Sequence, residues 1–256
     1  MYTNSLWNNF TFLICLETKN KMDYSKYPDL RANNNTLVGY GLQRRLRQIE
    51  GLLRVILDLG KLKDLRVLDF GCADDITLKY LLSKFGKIFE KGLGIDIFPF
   101  GVPNNMDSEG LRFFKLDLFN KFPYPFSDSS CNIVISSAFF KHHPNPKLFL
   151  NEIWRILEEE GYLLLLDPCP WVIKVGIWLK YFEKRYCPNI WDKNSIKLNV
   201  HEGNLNYRFK EIFYEKYWVA PNKFLFDLGV ENLFPNKIIN IFGLHQSLVL
   251  RKVEST

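Results

Sequence analysis

Hydrophobic residues recur at helical spacing in one long segment in the first quarter of the chain. The positions are Leu42, Leu46, Ile49, Leu52, Leu53, Ile56 and Leu57. Steps of three or four residues put these side chains on one face, so the pattern predicts a helix over 40–59 that stops at Gly60. The preceding residues are polar and weakly periodic, which predicts an N-terminal extension or lid over 1–39.

Short apolar runs follow this helix, with helical or loop segments between them. Five runs predict strands: Val67–Phe70, Leu93–Ile97, Arg112–Leu116, Ile133–Ser136 and Tyr162–Leu166. Short strands that alternate with helices are typical of βαβ units and a parallel sheet. Two late runs, Phe209–Tyr217 and Ser247–Val253, predict a long-looped antiparallel pair that closes the sheet.

The helix before the fifth predicted strand has signals at both ends. Asn145 suits the N-cap, Pro146 suits the first turn, and Gly161 is the expected stop. Together the patterns predict one α/β domain over 40–256. We expect a doubly wound, mostly parallel, seven-stranded sheet with helices on both faces.

Composition supports one globular domain. The 256 residues are 47% hydrophobic, and 22 Phe, 12 Tyr and 6 Trp argue against disorder. The net charge of +6 permits an acidic partner without requiring one. The clearest basic cluster lies on the first predicted helix, where we favour a solvated face over a phosphate-binding patch: Arg44, Arg45, Arg47 and Arg54.

The five cysteines are scattered, without a CxxC pair or a Cys/His cluster. This spacing favours neither a disulfide framework nor a zinc site, so we expect no metal and a reducing cytoplasm. The early apolar run Phe10–Cys15 is too short for a signal peptide, and no apolar run reaches membrane-spanning length.

The turn after the first predicted strand is the most informative stretch. Val67–Phe70 is an apolar run that contains Asp69 and drops into Gly71, Cys72 and Ala73. A buried strand that turns sharply into a helix places free backbone N–H groups and a positive dipole end at one point. Such a point is where an open α/β sheet binds a nucleotide-like ligand, and small residues allow its close approach.

Polar residues also end the neighbouring predicted strands, namely Asp96, Asp117 and Ser136. The carboxyl ends of parallel strands face one crevice, so these groups converge. Asp96 is placed to accept hydrogen bonds from a ribose diol, and Asp117 can accept from an adenine amino group. Ile97 and Leu118 offer apolar faces to an adenine.

The order and spacing of these segments resemble the class I S-adenosylmethionine-dependent methyltransferases. The closest likeness is to the small-molecule subgroup that includes quinone-biosynthesis methyltransferases. The resemblance is strong over about 65–168 and also rests on Pro125–Ile135, His143–Pro146, Glu152–Leu157 and Gly161–Leu165. It implies a Rossmann-like methyltransferase fold and S-adenosylmethionine as cofactor.

The resemblance also implies a role for each predicted site residue. Asp69, Gly71 and Ala73 would surround the methionine end of the cofactor. Asp96 would bind the ribose, and the adenine would lie between Ile97, Asp117 and Leu118. Ser136 would lie beside the sulfonium, near the acceptor.

The chain departs from the family pattern Asp-x-Gly-x-Gly-x-Gly at two glycines. Ala73 stands at the second glycine, which is a mild change if φ is negative there and a costly one if φ is positive. Asp75 stands at the third and puts an anion near the methionine carboxylate unless it points outward. Asn132 replaces a usual aspartate, and Glu158–Glu160 replace a basic turn and are expected to oppose a helix dipole.

Three further segments have competing interpretations. His142 and His143 are base candidates, but we favour one capping the next turn and the other being solvated. Cys169 is favoured as part of a proline-punctuated loop over a nucleophile. The aromatic segment Trp171–Phe182 is either a helix packed on the sheet, which we favour slightly, or a substrate cap or lipid-contacting surface within an insertion over 169–208.

The leading hypothesis is methyl transfer from S-adenosylmethionine to a small or lipid-like acceptor. The alternative is a non-catalytic protein that keeps the fold as a partner or regulatory subunit, motivated by Ala73 and Asp75. A nicotinamide-dependent oxidoreductase needs Gly-x-Gly-x-x-Gly, and two of the three aligned positions fail. Nucleic-acid methylation has no motif behind it, whereas peripheral membrane contact fits the aromatic segment.

Overall fold

The long helical pattern forms α1, Leu37–Asp58, in the computed structural model of the chain. Gly60 follows with a positive φ of 73°, and its N–H donates to the Leu57 carbonyl at 2.8 Å, as expected for a helix stop. The structure describes residues 37–60, 62–97, 107–108, 110–178, 184, 187–192, 194–196, 208–217 and 245–253. The predicted extension over 1–39 therefore lies almost wholly outside the described residues.

The described residues form an eight-stranded sheet. Its strands are β1 Leu65–Phe70, β2 Phe89–Asp96, β3 Asp107–Ser108, β4 Leu111–Lys115, β5 Cys131–Ser137, β6 Leu157–Pro168, β7 Arg208–Tyr217 and β8 His245–Val253. Their order across the sheet is β3-β4-β2-β1-β5-β6-β8-β7. All five predicted parallel strands are present, and the two late runs form the expected antiparallel pair. The two-residue β3 adds an eighth, antiparallel strand at one edge.

The strand order reverses direction at β1, which has β2 on one side and β5 on the other. Helix α2, Ile76–Phe85, follows β1, and helix α3, Pro146–Ile156, follows β5. Open α/β sheets bind their ligands at such a point, so the expected crevice lies between the carboxyl ends of β1 and β5.

Each face of the sheet has its own hydrophobic core. On one face, α1 and α2 bury Leu53 and Leu78 against β1 and β5. On the other face, α3 buries Phe149 and Ile153 against the opposite sides of the same strands. These two layers confirm the doubly wound α/β architecture. Among the described helices, none combines the length and apolar character needed to cross a membrane.

The start of α3 was predicted correctly and its end was not. The Asn145 side chain accepts a hydrogen bond from the Leu148 N–H at 3.0 Å, which is an N-cap. Gly161 does not stop the helix, because α3 ends at Ile156 and β6 runs through Gly161. A Cβ at Gly161 would lie 2.9 Å from the Glu158 carbonyl and 3.1 Å from that of Asn132, so the glycine permits close backbone approach within the sheet.

The three acids Glu158–Glu160 lie in β6, where each pairs with a cation. Glu158 pairs with Arg66 at 2.5 Å, Glu159 with Lys252 at 3.0 Å, and Glu160 with Arg251 at 3.1 Å. The expectation that they oppose a helix dipole is therefore wrong, because cations of β1 and β8 balance their charge.

Asn132 has a structural role at the amino ends of the strands, opposite the candidate site. Its side-chain oxygen accepts from the Arg66 N–H at 2.9 Å, and its amide donates to the Asp64 carbonyl at 3.1 Å. These bonds tie the start of β5 to the start of β1, away from the crevice.

Candidate functional site

The turn after β1 is held by the end of β2. The N–H groups of Gly71 and Cys72 donate to the Ile95 carbonyl at 2.8 and 3.2 Å. The Ala73 N–H donates to the Asp96 carboxylate at 2.9 Å. Our expectation of free N–H groups in this turn is therefore wrong for these three residues, because β2 already accepts from each of them.

Two residues with positive φ, on either side of Cys72, shape this turn. Gly71 has a φ of 71° and Ala73 a φ of 59°. Positive φ is open to glycine but costs an L-residue with a Cβ about 1–2 kcal/mol. Ala73, at the second glycine position of the family pattern, therefore has the positive φ that makes this replacement energetically costly.

Asp75, at the third glycine position, is the N-cap residue of α2. Its carboxylate pairs with Lys79 one turn along the helix at 2.5 Å. This i,i+4 pair directs the charge along α2, which answers the concern about an anion in the crevice.

The predicted ribose and adenine residues stand at the ends of β2 and β4. Asp96 and Ile97 are half-buried. The Asp117 carboxylate accepts from the Phe119 N–H at 3.1 Å and the Asn120 N–H at 3.2 Å. Hydrogen bonds from the Asn120 side chain and the Phe119 backbone lower the pKa of Asp117, so it stays ionised. Leu118 is fully buried in the core, and its role in framing an adenine stays a prediction.

Asp69 and Ser136 lie on adjacent strands, but their side chains point to opposite faces of the sheet. The register pairs Asp69 with Ile135 and Phe70 with Ser136, and both polar side chains are buried. Among the described residues, the Ser136 hydroxyl oxygen has no hydrogen-bond partner. A buried hydroxyl without a partner is costly, so it marks a place where a polar ligand atom can bind.

An aromatic pair, missed in the sequence, covers the turn. A Cβ at Gly71 would lie 2.5 Å from the Phe139 ring, so only glycine fits beneath it. Phe139 in turn stacks on Phe119, with ring centroids 5.8 Å apart and planes 8° from parallel. Phe119 follows β4 and Phe139 follows β5, so the pair joins the loops after these two strands. The sequence shows only aromatic richness here, without a periodic signal.

His143 is a core residue. Its Nδ1 accepts from the Asn145 N–H at 3.2 Å, and its Nε2 lies 3.1 Å from the Leu118 carbonyl. Burial lowers its pKa, so the neutral form is favoured. The preferred interpretation of a turn cap is confirmed for His143. His142 is only half-buried.

A buried polar cluster, also missed in the sequence, lies beside the crevice at the end of β6. Asp167 is fully buried and accepts from the Trp191 indole N–H at 2.8 Å and the Lys141 N–H at 3.1 Å. The Lys141 ammonium lies 3.4 Å from the same carboxylate. Gln246 of β8 donates to the Trp191 carbonyl at 2.9 Å. These bonds hold a segment of the predicted 169–208 insertion against the loop after β5.

Cys169 lies at the start of α4, Pro170–Trp178. It is fully buried, and burial raises its pKa to about 11, so a thiolate nucleophile is disfavoured. This agrees with the interpretation of a proline-punctuated loop.

Comparison with known proteins gives one family. The family model described as a methyltransferase domain matches residues 40–208 of this chain. No curated protein is significantly similar to the sequence.

Several solved structures share the fold. A chain from Haloferax volcanii, assigned as a methyltransferase and solved with the Trm112 methyltransferase activator, has a TM-score of 0.57 at 18% identity, over 76% of this chain and 85% of that one. An S-adenosylmethionine-dependent methyltransferase from Mesorhizobium loti has a TM-score of 0.53 at 11% identity, over 75% and 92%. A Listeria monocytogenes chain assigned the same activity has a TM-score of 0.52 at 13% identity, over 75% and 92%.

Proposed function

Because this chain belongs to the methyltransferase domain family, we propose that it transfers a methyl group from S-adenosylmethionine to a small or lipid-like acceptor. The observation that supports this most directly is the junction of β1, β2 and β5. There, the Asp96 carboxylate, the Gly71 turn and the buried Ser136 hydroxyl lie at the carboxyl ends of three adjacent strands.

The residues at this junction fit the cofactor. Asp96 is half-exposed, so it can accept from a ribose diol while it holds the Ala73 N–H. The Ser136 hydroxyl offers a buried donor and acceptor to a polar group. Ile97 and the loop after β4, with Asp117 and Leu118, would border the adenine, and Asp69, Gly71 and Ala73 the methionine end.

When bound, S-adenosylmethionine supplies an electrophilic methyl group on its sulfonium. The protein's task is to hold donor and acceptor in line and to exclude water, because alignment alone lowers the barrier substantially. Phe119 and Phe139 place an apolar wall over the turn after β1 for this purpose.

A general base is needed only for an acceptor that must lose a proton. His143 does not serve, because both ring nitrogens already face hydrogen-bond partners. The site therefore suits an acceptor whose nucleophile is already unprotonated, or one that brings its own base.

Two observations favour the alternative, a methyltransferase-fold protein without catalysis. The Ala73 backbone is strained, and the Phe139 ring lies directly over Gly71. Such a protein would act as a partner or regulatory subunit and would not bind the cofactor.

Calorimetric titration of the purified protein with S-adenosylmethionine, S-adenosylhomocysteine and NAD separates these proposals. We expect micromolar binding of both sulfur ligands and none of NAD. Asp96→Ala should abolish the binding, whereas Asp58→Ala, an exposed acid at the end of α1, should not change it. Folded protein that binds neither sulfur ligand would favour the non-catalytic alternative, and NAD binding would favour an oxidoreductase.

We also propose that the protein is located in the cytoplasm. Cys72, Cys131, Cys169 and Cys187 are free and buried thiols, which fits a reducing cytoplasm.

A further inference from the structure

Helix α4 has an unusual outward face. Cys169 and Ile173 are buried and anchor the helix to the protein. On the outward side Trp171 is 42% exposed, Val175 43% and Trp178 79%. Their spacing of four and three residues puts the three side chains in one stripe. A helix on the surface of a water-soluble domain usually presents polar residues there, so this stripe needs a partner.

The stripe lies beside the mouth of the candidate site. Helix α4 begins two residues after the end of β6, at the carboxyl edge of the sheet. That edge also carries Ser136 and the crevice between β1 and β5. Whatever binds the stripe is therefore brought close to the place where an acceptor must enter.

The stripe is too small for a stable protein interface. Its exposed area is about 350 Å², since a whole tryptophan offers at most about 250 Å². A stable protein–protein contact buries about 800 Å² on each partner. A second copy of the chain would gain too little here, whereas partial insertion into a bilayer needs only a few apolar side chains.

The chemistry of the stripe matches the boundary between lipid tails and headgroups. Tryptophan is amphipathic, since its ring is apolar and its indole N–H is a donor, so it concentrates at this boundary. The exposed Lys174 lies on the same outward side, where its ammonium can meet a lipid phosphate. The nearby acid Asp192 is held by hydrogen bonds from Ser195.

Positive charge on α1 approaches the same edge of the sheet. Arg45 acts electrostatically on His245, and His245 pairs with Pro168, two residues before α4. The chain carries +6 in total, so an anionic membrane surface attracts it.

We propose that Trp171, Val175 and Trp178 of α4, with Lys174, dock this protein on an anionic lipid bilayer at the mouth of its crevice. The docking extends the proposed function. Its consequence for the choice of acceptor rests on that function. An acceptor with an apolar tail can then present its headgroup to the crevice while its tail stays in the bilayer.

Vesicle binding tests the docking with the full chain. The probe is vesicles of phosphatidylcholine alone, or with about one third phosphatidylglycerol. We expect cosedimentation with the anionic vesicles, a blue shift of tryptophan emission, and weaker binding at high salt. The double variant Trp171→Ser plus Trp178→Ser should bind at least about tenfold more weakly. Lys174→Glu should weaken binding about fivefold.

A matched control comes from α1. Val55 and Leu59 are 47% and 50% exposed, so Val55→Ser plus Leu59→Ser removes exposed apolar surface at the end of a different helix. This control should bind anionic vesicles like the wild type. The proposal is overturned if the wild type does not bind vesicles, or if both double variants bind equally. It is also overturned if the tryptophan variant instead abolishes concentration-dependent self-association in light scattering.

The docking and the methyl-transfer proposals fail separately. S-adenosylhomocysteine binding by calorimetry should be unchanged in the Trp171→Ser plus Trp178→Ser variant, because α4 lies outside the cofactor crevice. Vesicle binding without cofactor binding would refute only the proposed methyl transfer. Cofactor binding without vesicle binding would refute only the docking.

Discussion

At the scale of single residues, the backbone of Ala73 is strained in the turn after β1. Its φ of 59° is one that glycine adopts without penalty. We expect Ala73→Gly to raise the free energy of unfolding by about 0.5–1 kcal/mol, because relief of strain exceeds the added entropy of the unfolded chain. Urea denaturation measures the change.

Ala138→Gly is the matched control for this prediction. Ala138 also has a positive φ, of 60°, but its N–H donates to the Leu166 carbonyl rather than to Asp96. Both variants should be stabilised, and only Ala73→Gly should alter S-adenosylhomocysteine affinity. A loss of stability in Ala73→Gly would show that the Cβ makes packing contacts worth more than the strain.

His143 makes stability depend on pH. Burial lowers its pKa below the ordinary value near 6.5, so the unfolded chain takes up a proton that the folded protein resists. Its stabilising contribution is present above about pH 6.5 and is lost as the pH falls towards the lowered pKa. We expect the free energy of unfolding to decrease from pH 7.5 to pH 5.5 in urea titrations.

A second buried histidine contributes to this pH dependence. His143→Asn should reduce the dependence without abolishing it, because burial also lowers the pKa of His245, to about 3. Equal slopes in the wild type and His143→Asn would assign the dependence to other groups.

At the scale of elements, the start of α3 depends on one side chain. The Asn145 oxygen accepts from the Leu148 N–H, and the Asn145 N–H is itself held by His143. Asn145→Ala should lower the free energy of unfolding by about 1 kcal/mol, as measured in urea. Asn151→Ala, in the middle of the same helix, should have little effect or stabilise slightly. Equal losses in both variants would contradict the capping role.

The two ends of α3 show what local sequence predicts well. The N-cap acts within three residues, so Asn145 and Pro146 were sufficient evidence. The C-terminal signal failed because β6 begins immediately after α3, at Leu157, and pairs with β5 on both sides of Gly161. Arg66, Arg251 and Lys252 come from distant segments to pair with the three acids. Nothing near Gly161 in the sequence reveals them.

At the scale of the whole molecule, the buried cluster of Lys141, Asp167 and Trp191 joins three separate segments. Burial raises the pKa of Asp167, against the lowering effect of Lys141 and the Trp191 hydrogen bond. Lys141→Met leaves this carboxylate without its cation, and we expect a loss of about 3 kcal/mol in the free energy of unfolding. Asp167→Asn alone should cost a comparable amount.

A double-mutant cycle isolates the pair. The double variant should lose less than the sum of the single losses, by about 1–3 kcal/mol, because it leaves neither charge unpaired. Chemical denaturation of all four proteins measures this difference. Additive losses would mean that the two charges act independently.

Sequence alone determined the parts of this protein that depend on local pattern. Hydrophobic periodicity located the helix α1, the parallel strands and the late hairpin, because burial repeats at the period of each element. Strand order placed Asp96, Asp117 and Ser136 at one edge, because the carboxyl ends of parallel strands face the same way.

Only the tertiary structure decided how those parts meet. The Ala73–Asp96 bond, the Phe139 ring over Gly71, and the cluster of Lys141, Asp167 and Trp191 each join segments far apart in sequence. Such contacts depend on the register and curvature of the sheet, which the spacing of residues along one strand does not contain. The sequence therefore determined which polar residues stand at the carboxyl ends of the strands, and the fold decided which of their atoms already have partners.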